Sequence, residues 1–114
     1  MYKIEAIIRP HLLEAVREAL TDLHVVGITA SDCRGSGSQR GVTHSFRGSQ
    51  YGAGLSPRVR LEIVVTNAQL ESIVDAIQKA AYTGEVGDGK IWVTALHEVV
   101  RIRTNERGDA ALDV

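Results

Sequence analysis

From Arg58 to Val65 the chain alternates: Val59, Leu61, Ile63 and Val65 fall on one side of an extended backbone, and Arg58, Arg60 and Glu62 on the other. A two-residue period is the signature of a strand with one buried face. Such a strand cannot stand alone. Its apolar side must meet another layer, and its edges must meet other strands. The other periodic segments therefore have to supply that layer and those partners.

They do so in a regular order. Tyr2 to Ile8 alternates Ile4, Ala6 and Ile8 against Lys3 and Glu5, which predicts a first strand. Pro10 opens a helix whose apolar stripe is Leu12, Val16, Leu20 and Leu23, with Leu13 beside it, and Gly27 is expected to stop it. Ile28 to Arg34 is a second strand. Residues 35–56 show no period. After the strand ending at Val65, Thr66 and Gln69 form a T-x-x-Q capping box for a helix with Leu70, Ile73, Val74, Ile77 and Ala81 on one face. Lys90 to Ala95 is a further strand, a short last strand is expected near Val99 to Arg103, and residues 104–114 form a polar tail.

The order β-α-β-β-α-β predicts an α+β fold of the split ferredoxin-like kind: a four-stranded antiparallel sheet with two helices on one face. A length of 114 residues fits one domain, 1–114, and 44% hydrophobic residues can bury a small core. On the face away from the helices lie Ile7, Val64, Trp92 and Val99, and an open apolar face on so small a domain predicts self-association.

A net charge of −1 gives no whole-molecule reason to expect nucleic acid or a membrane surface as partner. With no leader and no apolar run near 18 residues, the expectation is a protein of the cytoplasm with no membrane insertion. Cys33 is the single cysteine and reads as a small apolar strand-end residue. His11, His24, His44 and His97 are scattered without metal-ligand spacing.

The charge distribution says more than the sum. Between Asp32 and Glu62 there is no acidic residue, but Arg34, Arg40, Arg47, Arg58 and Arg60 fall there, with six of the 11 glycines. A period-free stretch of that length between two strong strands is expected to be functional. A second concentration follows in TGEVGDGKIWV, Thr83 to Val93. Gly84, Gly87 and Gly89 crowd a turn that ends in Lys90. Glycines let backbone N–H groups converge on one point, and lysine adds charge at the rim, so the turn suits an anion. Arg101 and Arg103, two apart, would leave one face of a strand. Together they suggest a polyphosphate grip. The spacing matches neither a Walker loop nor a G-x-G-x-x-G dinucleotide turn.

TGEVGDGKIWV and VRIRTNERGDAAL resemble the C-terminal signature of the PII signal-transduction proteins, and RGSGSQRGVTHSFRGSQY, Arg34 to Tyr51, resembles their nucleotide-flanking strand end and T-loop. The similarity runs from Tyr2 to about Leu112. It implies a homotrimer whose open sheet faces pack around the threefold axis, and a T-loop over residues 36–56 that docks a target: a transporter, a nitrogen-assimilation enzyme or a transcriptional regulator. It implies ATP or ADP in a cleft between subunits, at Thr29, Gly35, Gly37, Ser38, Gln39, Glu62, Val64, Gly87, Asp88, Gly89, Lys90, Arg101 and Arg103. It implies 2-oxoglutarate beside Mg-ATP, with Gln39 helping to ligate the magnesium, and Gly41 and Arg58 contributing to the ketoacid site. Tyr51 stands where some PII lineages are uridylylated or adenylylated, and Ser49 where others are phosphorylated.

The chain departs from the family pattern in several places. Ser38 replaces a basic residue, so one charge on the terminal phosphate is gone. Ser36 replaces a common aromatic, Arg58 a lysine, Tyr82 an arginine or glutamine, Trp92 a phenylalanine and Gln50 a glutamate.

The family implies a regulator, not an enzyme. Three alternatives compete. A divergent sensor of another small anion that regulates a transporter would keep the fold and the late phosphate features. An acylphosphatase-like phosphate hydrolase would place its arginine-lined phosphate loop early, whereas here the strongest phosphate features lie late. An RNA-binding module of the same fold needs paired stacking aromatics, and the five aromatic residues of this chain do not form them.

Overall fold

The computed structural model describes residues 1–25, 27–36 and 55–112. Strand β1 (Tyr2–Ile8) leads through a 3-10 turn (Pro10–Leu12) into helix α1 (Leu13–Asp22), followed by β2 (Thr29–Gly35), β3 (Ser56–Val65), helix α2 (Leu70–Ala81), β4 (Lys90–Ala95) and a 3-10 turn (Gly108–Ala111). The sheet order is β2-β3-β1-β4 and every pairing is antiparallel. This is the expected ferredoxin-like arrangement.

The alternations read from the sequence hold. Ile4, Ala6 and Ile8 of β1 and Val59, Leu61, Ile63 and Val65 of β3 are buried together with Val16 and Leu20 of α1 and Ile73 and Ile77 of α2. Both helices therefore cover one face. Gln69 makes half of the predicted capping box: its side-chain Oε1 accepts from Thr66 N at 3.0 Å. No side-chain bond caps the helix in return.

The first helix ends differently from the expectation. His24, not Gly27, takes the left-handed position, at φ 63°. His24 N donates to Thr21 O at 2.9 Å and Val25 N to Leu20 O at 3.0 Å. This is the paired bond pattern of a Schellman stop. It turns Val25 into the core and leaves Leu23 exposed, so Val25 does the burying expected of Leu23.

The short last strand near Val99 to Arg103 is not formed. Arg101 N donates to Glu106 O at 2.9 Å and Asn105 N to Arg101 O at 2.8 Å, so the chain reverses at once, with Asn105 at φ 62°. Only a bridge between Val100 and Arg107 remains of a ladder. The segment after residue 104 is correspondingly more than a polar tail: it folds back, and Gly108 N donates to Val99 O at 3.0 Å.

The open face of the sheet is more charged than its apolar residues suggested. Ile7 and Val64 are half-buried there and Trp92 is exposed. Between them Glu5, only 6% exposed, receives Lys3 Nζ at 2.9 Å and Arg60 Nη2 at 2.5 Å. The hydrogen bond from Lys3, and then that from Arg60, holds the Glu5 carboxyl below its ordinary range against the opposing effect of burial.

Two outcomes follow from this architecture. His24→Gly should raise stability by roughly 0.5–1 kcal/mol in urea unfolding, because glycine enters the left-handed region without a Cβ penalty. Glu5 has a depressed folded-state pKa, so its contribution is present above the ordinary glutamate range and is lost as pH falls through the folded value. Thermal melting followed down the acid limb should therefore fall less steeply for Glu5→Gln than for the parent.

Candidate functional site

The described residues among those expected to hold a nucleotide lie in two clefts. One, of about 840 Å³, is lined by Arg34, Gly35, Arg58, Gly87, Gly89 and Lys90, with Asp88, Ser36 and Trp92 at its walls. The other, of about 780 Å³, is lined by Thr29, Glu62, Val64, Arg101 and Arg103, with Lys3 and Leu112 beside them. Sheet register keeps them apart. Thr29 pairs with Glu62 at one end of β2, and Gly35 pairs with Ser56 at the other. Six residue steps of strand separate those ends, roughly 20 Å.

The first cleft is shaped by the turn after α2. Gly87 and Gly89 sit at φ 101° and 100°. A Cβ on Gly89 would stand 1.7 Å from the carbonyl oxygen of Ile7. No side chain fits there, so the glycine lets the turn press directly on the end of β1. Lys90 opens β4 next to it and is exposed.

Asp88 is placed unexpectedly. Its Oδ2 accepts from Thr83 N at 2.8 Å and from Gly84 N at 3.0 Å; its Oδ1 accepts from Arg9 Nε at 3.1 Å and from the Thr83 hydroxyl. Arg9 Nη2 also donates to Val86 O at 3.0 Å. The hydroxyl bond from Thr83, then its backbone bond, leads the causes that hold the Asp88 carboxyl well below the usual carboxylate range. Arg9 carries no signal in the sequence beyond its place between a strand and Pro10, and it belongs to neither phosphate-seeking motif.

Arg58 stands on the wall of the first cleft, with its Cγ near Gly35, and Nη1 donates to Pro57 O at 2.9 Å. In the second cleft Glu62 approaches Arg60, Oε1 to Nε, at 3.5 Å. Arg101 Nη1 donates to Glu106 Oε1 at 3.0 Å, and the Thr104 hydroxyl donates to the same oxygen at 2.7 Å. Arg101 and Arg103 thus share a cleft as expected, but as members of a tight turn and not of a strand. Ile102 between them is 98% exposed. Glu106, which the sequence analysis assigned to the tail, is the carboxylate that aims Arg101.

Gly37, Ser38, Gln39 and Gly41, and the modification candidates Ser49 and Tyr51, lie outside the described residues, as does most of the 36–56 segment. Tyr82 is 65% exposed beside the glycine turn, with its hydroxyl 3.1 Å from where a Gly84 Cβ would lie. Among the described residues no helix is long and apolar enough to cross a membrane.

Gly89→Ala should destabilise the fold by at least about 2 kcal/mol, from the backbone conformation together with the clash on Ile7. Urea unfolding checks this, and a variant as stable as the parent would mean that the turn does not approach β1 as described.

Comparison with known proteins gives a consistent result. A family model described as nitrogen regulatory protein P-II matches residues 1–106. The chain is 47% identical over 112 residues to a nitrogen regulatory protein P-II of Azospirillum brasilense, covering 98% of this chain and 100% of the relative. It is 47% identical, with the same coverage, to one of Rhodospirillum rubrum. Nitrogen regulatory protein GlnK of Escherichia coli K12 is 42% identical over 112 residues, again covering 98% and 100%.

Proposed function

This chain belongs to the nitrogen regulatory protein P-II family of signal-transduction proteins, and we propose that it binds ATP or ADP in a cleft completed by a neighbouring subunit of a homotrimer. The bound state is passed to a target protein of nitrogen or carbon metabolism, in the cytoplasm, through the 36–56 segment. The relatives are named as regulatory proteins, and no chemical step is assigned to this chain.

The observation that carries the proposal is the division of the phosphate-binding residues. Gly87, Gly89 and Lys90 open into one cleft and Arg101 and Arg103 into another, at opposite ends of β2. A polyphosphate held by Lys90 and by Arg101 and Arg103 together therefore needs both halves. A cyclic assembly that brings the first cleft of one subunit against the second cleft of the next would unite them. The exposed Ile102 and Trp92, and the half-buried Ile7 and Val64, suit such a contact.

Roles then follow from chemistry. Lys90, Arg101 and Arg103 pair with phosphate oxygens, and Thr29, Glu62 and Val64 surround the base. Each charge-assisted contact is worth roughly 1.5–3 kcal/mol, so losing one weakens binding by roughly 10- to 150-fold. The second ligand in this proposal is 2-oxoglutarate, with Arg58 pairing its distal carboxylate. Arginine can do so bidentately where lysine offers a point charge. The position of Arg58 beside Gly35 and Gly87 supports that role; Gln39, for the magnesium, and Gly41 lie outside the described residues. Differential affinity of the target for the two nucleotide states would then supply the signal.

The test is complementation. Lys90→Ala and Arg103→Ala should each lose ATP binding by calorimetry while keeping their melting temperature. Unfolded together and refolded as a 1:1 mixture, they should regain about a quarter of the sites, because an interface that takes Lys90 from one chain and Arg103 from the other is intact. No regained binding in mixed trimers would place both residues in one subunit's site and overturn the divided cleft.

A further inference from the structure

Asp88 sits in the middle of the anion-binding turn, where a bare carboxylate would repel phosphate. Yet its two oxygens are already taken. Oδ2 accepts two backbone N–H groups, and Oδ1 accepts the Thr83 hydroxyl and the Arg9 guanidinium. An ionised carboxylate offers about four acceptor sites, and four donors fill them. Little capacity is left to ligate a metal ion or to accept from a nucleotide hydroxyl.

Arg9 does two things at once. Nε grips Asp88 and Nη2 grips the carbonyl of Val86, two residues earlier in the same turn. One planar guanidinium thereby fixes two points of the loop, as its fork geometry allows. Arg9 itself follows directly on β1, whose last turn-facing carbonyl, that of Ile7, is the surface on which Gly89 rests. The loop is therefore tied to the end of β1 at residues 86, 88 and 89, and closed upon itself from 83 to 88.

We propose that Asp88 is a positioning residue and not a ligand: with Thr83 and Arg9 it forms a clasp that presents Gly87, Gly89 and Lys90 to the phosphates while Arg9 cancels its charge. The proposal rests on the nucleotide-binding function proposed above and deepens it. It adds Arg9 and Thr83 to the residues on which phosphate affinity depends, although neither lines the cleft that holds Lys90. The hydrogen bonds from Thr83 first hold the carboxyl below the usual carboxylate range, so Asp88 is charged at neutral pH and pairs with Arg9 as an anion.

Two measurements on the intact protein test it. The first needs no ligand. Amide hydrogen exchange should be faster by about tenfold or more at residues 83–89 in Arg9→Met and in Thr83→Val, with α2 and β3 protected as in the parent, and Thr83→Ser should restore the parent rate. The second is calorimetry with ATP and with adenosine. Both variants and Asp88→Ala should lose about tenfold in ATP affinity and leave adenosine unchanged, which a general loss of structure would not do. The Arg9→Met/Asp88→Ala double variant should be no weaker than the worse single one, since both break one unit. Parent exchange rates in both clasp variants would overturn the proposal. So would tighter ATP binding by Asp88→Ala, the result expected of a carboxylate that faces the phosphates. If the parent itself binds no ATP, the nucleotide function fails, and the exchange measurement still decides the clasp.

Discussion

Strand β1 is hydrogen-bonded along both edges, to β3 on one side and β4 on the other. The rest of the molecule hangs on that double pairing. One face of β1 gives Ile4, Ala6 and Ile8 to the core, the opposite face gives Glu5 to the ion pairs with Lys3 and Arg60, and its end gives the Ile7 carbonyl and Arg9 to the glycine turn. A central strand is the most constrained backbone in such a sheet, because both ladders and a buried face fix its register. Attaching the glycine turn there makes the turn rigid at small cost in chain.

Rigidity at one end of the sheet has a counterpart at the other. The reversal after Val99 is held by its own short-range bonds, Arg101 to Glu106 and Asn105 to Arg101, and not by a ladder. Arg101 is thereby aimed by a local carboxylate. A phosphate entering that cleft competes with Glu106 for the same guanidinium, so part of its attraction is offset by the bond it replaces. The two halves of the proposed site are built on different principles: one pinned to the sheet, one folded on itself.

Much of this was legible in the chain. The period-two runs of β1 and β3 and the stripe of α2 match the buried residues, because burial on one face leaves a pattern that composition cannot mimic. The glycine turn was visible as Gly84, Gly87 and Gly89 ahead of Lys90. Other features had no pattern to show. His24 stops α1 in a conformation that glycine usually takes, so the nearest glycine misled. Val99 to Arg103 has strand-like residues but lacks a partner strand among the described residues, and the ladder is what makes a strand. Glu5 reads as an outward polar residue, and only the cross-strand neighbours show that it is buried and paired.

By itself the sequence determined the order of the two helices and the four strands of the sheet, the buried faces of β1 and β3, and the fold class. Those properties depend on period and on residue type, which are local. The tertiary structure decided which groups meet. It set Thr29 and Gly35 at opposite ends of one strand, and so split the grip between two clefts. It also turned Asp88 inward, where Arg9, 79 positions away in the chain, can reach it. Partnerships across such separations follow from strand register and loop path, and no local pattern in the chain encodes them.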